Sequence, residues 1–573
     1  MCSKHSGKCV RFGIGVLLLA MVATLASGTV SAQSTNATLN GIITDLNGAI
    51  VPGAELTLIN SATNYEAKFT SNERGEYTFR NLTPGTYELK VSKTGFQTAV
   101  QKGIILTINA IGRVDVQLKV GATNETVTIV GDQSLINFEN ATQQGGIAPE
   151  TLNNLPLVVG GAPRSSMSLA TLLPGITTGS AGEAFNARIN GGLQMGDEAV
   201  MDGASMQQGY MNQSGMVSLQ GDFQMSPDMV QEVKVITSNY EPQYGSSTSG
   251  QLVVVTKGGG AQYHGAAFEY HRNRVLNARP WNASSRPFNI QNNYGANIGG
   301  PVKIPWLYNG SGQGKHKTFF YFNWEAFRAA GGANVPTISV ASAKARNGDF
   351  SDWKDATGRL IPIYDPRTTR VAADGTITRT QLQCNGVLNV MCAADYNALV
   401  AANPYFREYL LKFMPTPTRA GEQNNWTAPR AVPNTLINGS NVYMTRVDHY
   451  IGDNDHFYFS WWRQFAAINI ASLLPAEIAT ESPTRPQDSP IPRFNWEHTF
   501  SPTLTHHFTA GYLNRNEGYG SLNLDVNLPK VAGVASQLYL PQFNFGSGFT
   551  QISNSAGINA RNITTRPTYV LNN

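Results

Sequence analysis

The 573-residue chain is most informative at first through what it has little of. Charged residues make up only 14%, where a soluble enzyme usually carries about 25%. Beyond the N-terminus there is no apolar run of about 18 residues, so no internal helix is expected to span a membrane. Neither GxxxxGK[ST] nor GxGxxG occurs, which removes the usual nucleotide loops. Neither HExxH nor GxSxG occurs, which removes the commonest metalloprotease and serine-hydrolase signatures. Cysteine is scarce, with four in all: Cys2 and Cys9 near the start, Cys384 and Cys392 in a polar segment. No second cysteine or histidine pair accompanies the latter two, so a zinc site is not expected, and no cofactor is called for.

Aromatics, by contrast, reach 10%, and Gly, Asn, Ser and Thr abound. Low charge with many aromatics suits a large β protein that is secreted or sits in an outer membrane. Residues 1–32 read as a secretory signal. Lys4, Lys8 and Arg11 precede the apolar stretch from Phe12 to Ala26, and Val30-Ser31-Ala32 offers a small-residue cleavage site. A membrane anchor is the alternative, against which stand the short apolar core and the lack of a stop-transfer flank. The formal net charge is +4, and the signal carries three of those positive charges. A nearly neutral mature chain argues against a nucleic-acid partner. In an exported protein, the remaining Cys384 and Cys392 suggest one loop-closing disulfide, with two free thiols as the alternative.

Residues 36–120 alternate short strand patterns with turn signals. Asn47-Gly48, Pro52-Gly53 and Pro84-Gly85 punctuate runs such as AELTLIN, and Tyr77 with Phe79, and Tyr87 with Leu89 and Val91, sit at alternate positions. About seven strands in this length predict a β-sandwich. Residues 121–131 then carry an acidic, β-prone run, either a last strand of the sandwich with a linker or an extended segment able to add to a partner's sheet edge. Residues 132–262 read as a mixed α/β domain. A short helix is expected over Ile147 to Leu155, a second apolar element at SLATLLPGI, and strands at EVKVIT and QLVVVTK. Its glycines, Gly191-Gly192, Gly203, Gly245, Gly250 and Gly258 to Gly260, are expected to permit positive φ and close strand approach.

From Tyr263 the pattern changes. In Tyr263 to Asn273, Ala266, Phe268 and Tyr270 share one face, while Ala267, Glu269 and His271 share the other. Alternating runs with aromatic outer faces follow. Phe320, Phe322 and Trp324 oppose Phe319, Tyr321, Asn323 and Glu325; Phe457, Phe459 and Trp461 line up; so do Phe494 with Trp496, and Phe508, Ala510 and Tyr512. Runs of about 9–12 residues fit tilted strands crossing a bilayer. Connections after the first, third and fifth runs are long, at 275–291, 329–440 and 467–492. Those after the fourth and sixth are tight. This parity is that of an outer-membrane barrel, with long outer loops and short inner turns. The fold class is therefore mainly β: a sandwich over 36–120, a linker over 121–131, a mixed α/β domain over 132–262, and a partial antiparallel transmembrane barrel over 263–573.

The ordered motifs carry a resemblance. GxIxDxxGAxVPGAxL and GxYxFxNLxPGxYxLxVxxxGF resemble the carboxypeptidase-regulatory-like domain, which has no catalytic residues of its own. With INGG, MDG, the stretch from Met229 to Asn273, NNYGANIGGPV, KTFFYFNWEAFR and RVDHYIGDNDHFYFSW, the chain resembles the Oar-like TonB-dependent outer-membrane receptors. That resemblance implies a plug inside a 22-stranded barrel in the outer membrane of a Gram-negative bacterium, with the sandwich in the periplasm. It implies energy coupling through the periplasmic partner TonB. By position and type, Glu125, Thr126, Val127, Thr128, Ile129, Val130 and Gly131 look like the TonB box. Asn190, Gly191, Gly192, Asp202 and Gly203 fall in the plug motifs, and Gly258, Gly259 and Gly260 read as the plug–barrel hinge. One departure is that only about eight strands are legible after Tyr263, too few to enclose a plug. The expectation is an incomplete barrel.

The leading expectation is an active-transport receptor for an extracellular ligand, whether glycan, peptide or chelate, held in outer-membrane lipid. A non-transporting adhesive or structural protein is the alternative. An exported hydrolase, using His506-His507, Asp448-His449 or Asp453 with Asp455, is disfavoured. Adjacent histidines in a strand point to opposite faces, and Asp453-Asn454-Asp455 reads as a hairpin turn.

Overall fold

The structure is a computed structural model. It describes residues 35–121, 126–130, 143–147, 164–177, 188–206, 225–304, 311–427, 437–469, 484–519 and 562–572, apart from 194–195, 241–242, 246, 280, 282–285, 287, 313–314, 333–336, 356, 403–410, 422, 502–503, 515 and 566.

The N-terminal unit is a two-layer sandwich. β1 (Ala37–Asp45), β2 (Glu55–Asn60), β3 (Glu66–Thr70), β4 (Glu76–Leu82), β5 (Gly85–Ser92), β6 (Thr98–Leu106), β7 (Ile111–Arg113) and β8 (Val116–Leu118) form it. One layer has β4 and β7 flanking β1, which also pairs with β8; the other runs β3-β2-β5-β6. Alternation in the sequence becomes alternation in burial. Leu39, Ile43, Leu56, Leu58, Tyr77, Leu89 and Val91 are each at most 1% exposed and form one core. A ninth strand, β9 (Thr126–Val130), joins β6 in parallel, with Thr98 opposite Thr126 and Lys102 opposite Val130.

The second unit has a small sheet at its centre. β10 (Gln143–Ile147), a hairpin of β11 (Ile176–Thr177) with β12 (Arg188–Ile189), β13 (Glu198–Met201), β14 (Ala204–Ser205), β15 (Val230–Ser238) and β16 (Gln251–Thr256) are its strands. The main sheet runs β10-β15-β16-β13-β14. Of the helix expected over Ile147 to Leu155, Ile147 closes a strand paired with Val233, and 148–155 lie outside the described residues. SLATLLPGI contributes a 3-10 turn, Ser166–Leu172.

The wall begins immediately after. β17 (His264–Asn273), β18 (Phe288–Pro301), β19 (Thr318–Gly332), β20 (Ile437–Ile451), β21 (Asp455–Asn469), β22 (Thr484–Ser501), β23 (Leu504–Leu513) and β24 (Thr568–Asn572) pair in that order, each antiparallel to the next. The expected alternation of long and short connections holds from β19 onward, where 333–436 is followed by 452–454 and 470–483 by 502–503; before it, 302–317 is as long as 274–287. The strands are longer than the sequence pattern suggests. β19, β20 and β21 have 15 residues each and β22 has 18. At about 3.3 Å per residue, 15 residues span about 50 Å, which at a strand tilt of about 35–45° rises about 35–40 Å, somewhat more than a hydrocarbon core of about 30 Å. The surplus lies on the long-loop side, where the outer face turns polar, as in the Arg463–Asp488 pair at 2.9 Å.

Which side chains face out follows the aromatic phase. Phe322, Phe459 and Phe494 are 37–44% exposed, while their neighbours Phe319, Tyr321, Asn323, Glu325, Tyr458, Trp462 and Asn495 are buried on the inner face. The first strand breaks this rule. Phe268 pairs with Gly295, which pairs with the inward Glu325, so Phe268 and Tyr270 face inward and Glu269 and His271 outward. The physical reason is Arg164, which lies 4.4 Å from the ring of Phe268 and 4.7 Å from that of Tyr270.

The second unit sits against the inner face of this wall. Met201, Val233, Val235 and Val254 share one core with Tyr321, Val442, Met444, Trp462, Ile491 and Leu513 of the wall. It therefore occupies the position of a plug.

Candidate functional site at the plug–wall interface

The site is assembled around a turn. Asp202 and Gly203 join β13 to β14, and both have positive φ, +48° and +77°. That is the backbone of a tight two-residue hairpin, which Asp-Gly suits. The turn holds Asp202 fully buried at the wall. Its carboxylate accepts from Thr256 N at 3.0 Å, Thr256 Oγ1 at 2.9 Å and the wall residue Ser460 Oγ at 2.9 Å. Arg446 Nη1 lies 3.7 Å away and donates to Thr256 O at 3.0 Å.

From Arg446 the network continues along the wall. Arg446 binds Asp448 through Nε and Nη2, at 3.0 and 2.7 Å. His456 bridges Asp448 at 3.1 Å and Glu497 at 2.9 Å. All of these residues are nearly enclosed, so the charges are compensated by one another rather than by solvent. A second anchor uses Arg164, just before the 3-10 turn at Ser166–Leu172. Its guanidinium lies 2.8 Å from Asp228 in the plug and 3.0 Å from Glu325 in the wall, and Nε donates to Asn293 at 2.7 Å. Around this plug-side cation, two carboxylates outweigh the cost of burial and hold its pKa above the usual arginine value. Both anchors join plug to wall by polar contacts that can break and re-form. Such an arrangement suits holding and releasing. Among the described residues, no group of three or more His, Cys, Asp or Glu is placed to bind a metal ion.

The remaining predicted residues fall as follows. Asn190 and Gly191 form another positive-φ turn, at +49° and +72°, with Asn190 Nδ2 donating to Thr237 O at 3.0 Å. Gly192 is needed for close approach, since a Cβ there would meet Ser249 Cβ at 2.4 Å. Gly258, Gly259 and Gly260 are not at positive φ; they too allow contact. A Cβ on Gly259 would lie 2.3 Å from Phe320 O, one on Gly258 3.1 Å from Asp448, and one on Gly260 3.0 Å from Ala62 O. Gly245 and Gly250 likewise have ordinary φ. Cys384 and Cys392 are disulfide-bonded, S–S 2.04 Å, in the long connection after β19, beside α1 (Ala393–Ala402). Of the box candidate, Thr126 to Val130 form β9, whereas Glu125 and Gly131 lie outside the described residues.

The motif reading found Asp202 but not its partners. Arg164, Arg446, Ser460 and His456 come from distant segments. A signal did exist: Glu325, Arg446 and Asp448 are charged residues in the inward phase of strands whose outward phase is aromatic. The hydrolase pairs dissolve in the structure. Asp448 points inward, while His449 contacts Thr318 Oγ1 at 2.7 Å; His507 is buried, while His506 packs on Trp496.

A plug sheet held by buried polar anchors inside a wall of long antiparallel strands defines an outer-membrane receptor barrel. Residues 255–572 match the family described as outer membrane beta barrel domain, and the chain belongs to it; residues 38–119 match the carboxypeptidase regulatory-like domain. This places the protein in the outer membrane of a Gram-negative bacterium. The chain is similar to the TonB-dependent transporter Oar of Myxococcus xanthus, 27% identical over 286 residues, covering 48% of this chain and 26% of that protein. It thus spans about a quarter of the length of that curated relative. Among solved structures, the siderophore receptor PirA from Pseudomonas aeruginosa aligns at TM-score 0.33 and 10% identity, over 65% of this chain and 40% of that one. The outer membrane transporter YddB from Escherichia coli aligns at 0.35 and 10%, over 65% and 39%.

Proposed function

We propose that the protein is a receptor that captures a ligand outside the cell and imports it by TonB-coupled displacement of the plug. The observation that carries this reading is the Asp202 anchor. A plug turn is held to the wall by Ser460 and Arg446 through hydrogen bonds and charge, not by an apolar seam alone. Polar anchors lose little on release if water replaces the partners, so a plug held this way can be moved. The similarity to a TonB-dependent transporter supports the same reading.

In this reading the sandwich and the short turns lie in the periplasm and the disulfide-closed connection lies outside. The segment Glu125 to Gly131 is the part that TonB grips, by pairing with an extended strand. The ligand is a glycan, peptide or chelate met by the outer connections. The test is uptake by cells carrying the full-length protein, with and without residues 125–131, and with the proton gradient intact or collapsed. Uptake that survives the deletion rules out TonB coupling through this segment. Surface binding with no gradient-dependent uptake makes the protein an adhesin.

A further inference from the structure

The sandwich is not simply tethered to the plug; it is docked on it. After β6 the chain turns at Thr107-Ile108-Asn109, and Ile108 enters the plug, fully buried among Ile236, Tyr244, Val253 and Val255. Glu232 and Lys234, two apart on β15, face it together. Glu232 accepts from Ile108 N at 2.9 Å, and Lys234 Nζ donates to Ile108 O. The two side chains thus supply the acceptor and donor that a neighbouring strand would, so the inserted backbone is satisfied out of water. Asn109 Nδ2 also donates to Tyr244 Oη.

The same sandwich touches the wall. The turn after β2 presents Ala62, whose carbonyl accepts from Ala261 N at 2.8 Å, just past the three glycines. Tyr65 stacks on Tyr450 at 4.3 Å, Tyr450 on His456 at 4.3 Å, and His456 on Tyr458 at 5.3 Å; Arg446 lies 4.2 Å over Tyr458. A column of rings therefore runs from the sandwich to the arginine that approaches Asp202. Asn81 adds weak contacts to His498 O and Thr499 Oγ1, both at 3.4 Å. Between these contacts lies a cavity of about 400 Å³ whose lining includes Asn60, Thr63, Thr86, Gly259 and Tyr450. Small contacts around a polar gap are what separable domains show.

We propose that the sandwich is an intramolecular clutch: engaged through Ile108 and Tyr65, it braces the plug against the wall, and the plug is released only when it disengages. The part concerning release rests on the transport reading; the docking does not. Strand β9 lies on β6, which leads directly to Ile108, so tension on that segment reaches the insertion first.

The experiment is hydrogen exchange on the full-length protein in nanodiscs, with neither ligand nor TonB present. It follows peptides covering 104–112, 198–206 and 251–260. Ile108→Asp places a carboxylate beside Glu232 and is expected to raise exchange at least tenfold in all three. Ile105→Asp, at a side chain 64% exposed on the same strand, should leave them unchanged. Tyr65→Ala, which removes the ring stacked on Tyr450 of the wall, should raise exchange at 251–260. A cysteine pair, Ala62→Cys with Ala261→Cys, should lower exchange at 198–206 when oxidised and restore it when reduced, and it serves if Ile108→Asp does not assemble. The proposal is overturned if 104–112 opens while 198–206 and 251–260 keep wild-type exchange, or if the oxidised pair leaves 198–206 unchanged. Because no ligand enters this assay, a failure of transport and a failure of the clutch are read separately.

Discussion

Replacing Asp202 by alanine isolates the anchor on which the proposed function rests. The substitution removes the acceptor for Thr256 N, Thr256 Oγ1 and Ser460 Oγ, and takes one carboxylate from beside Arg446. Hydrogen bonds to a charged group are worth about 1.5–3 kcal/mol each, but three that share one carboxylate do not add. Removing one partner of a buried charged cluster costs about 3–5 kcal/mol. Arg446 retains Asp448 at 2.7 Å, so the lower end of that range applies. Alanine also dislikes a φ of +48°, which adds roughly 1 kcal/mol. A loss of about 4 kcal/mol shifts the docked–undocked balance of the turn by roughly a thousandfold, at about 1.4 kcal/mol per factor of ten. The assay is exchange at the Thr256 amide in the full-length protein, with sensitivity of cells to a large antibiotic as a second readout. Asp202→Asn separates charge from turn geometry. Asparagine tolerates the backbone and still accepts from Thr256, so its exchange should fall between wild type and alanine. Wild-type protection at Thr256 in Asp202→Ala would refute the reasoning, because it would mean the polar anchor holds nothing.

Other consequences can be measured independently. Burial pushes the Glu232 carboxyl up to about 7 from 4.5, against the opposing pull of the Ile108 N–H and of Lys234. A carboxyl with a raised docked-state pKa favours docking when protonated, so sandwich docking should be tightest below about pH 4.5, weaken up to about 7 and level off above. Exchange at 104–112 across pH in wild type and Glu232→Gln measures the effect, the variant being flat. Gly259→Ala puts a methyl 2.3 Å from Phe320 O, and should cost about 1–3 kcal/mol and lower the yield of heat-modifiable folded barrel on gels. Reducing Cys384–Cys392, which closes a loop with a separation of 8, should cost about 2–3 kcal/mol locally. Proteolysis should then cut within 361–402 first and leave the wall strands intact.

Much of the architecture was legible in residues alone, and the reason is periodicity. A strand's side chains alternate strictly, so Phe320, Phe322 and Trp324 had to share a face whatever the rest of the chain did. Tight connections at 452–454 and 502–503 follow from turn chemistry over a few residues, and so does the Asp202-Gly203 hairpin. Local rules of that kind settle which residues lie together on an element, and in what order elements pair when they are joined by short turns. They also marked the inward phase that carries Glu325, Arg446 and Asp448.

What periodicity does not contain is the identity of distant partners. The faces of Tyr263 to Asn273 alternate clearly, yet which one turned inward depended on Arg164, about a hundred residues earlier. The glycines at 258–260 looked like a hinge because glycine frees the backbone; in the folded chain the missing Cβ matters more, since Phe320, Asp448 and Ala62 come within contact distance. The run Thr126 to Val130 could equally close the sandwich or stay extended, and only the pairing with Thr98 to Lys102 placed it. Ile108 carried no signal at all, being one apolar residue in an ordinary turn until Glu232 and Lys234 enclosed it. The sequence by itself therefore determined the strands, their faces and the barrel wall, because those depend on neighbours in the chain. Tertiary structure alone decided the anchors and the docking of the sandwich, because buried charge and inserted backbone are stable only where long-range packing brings their partners to them.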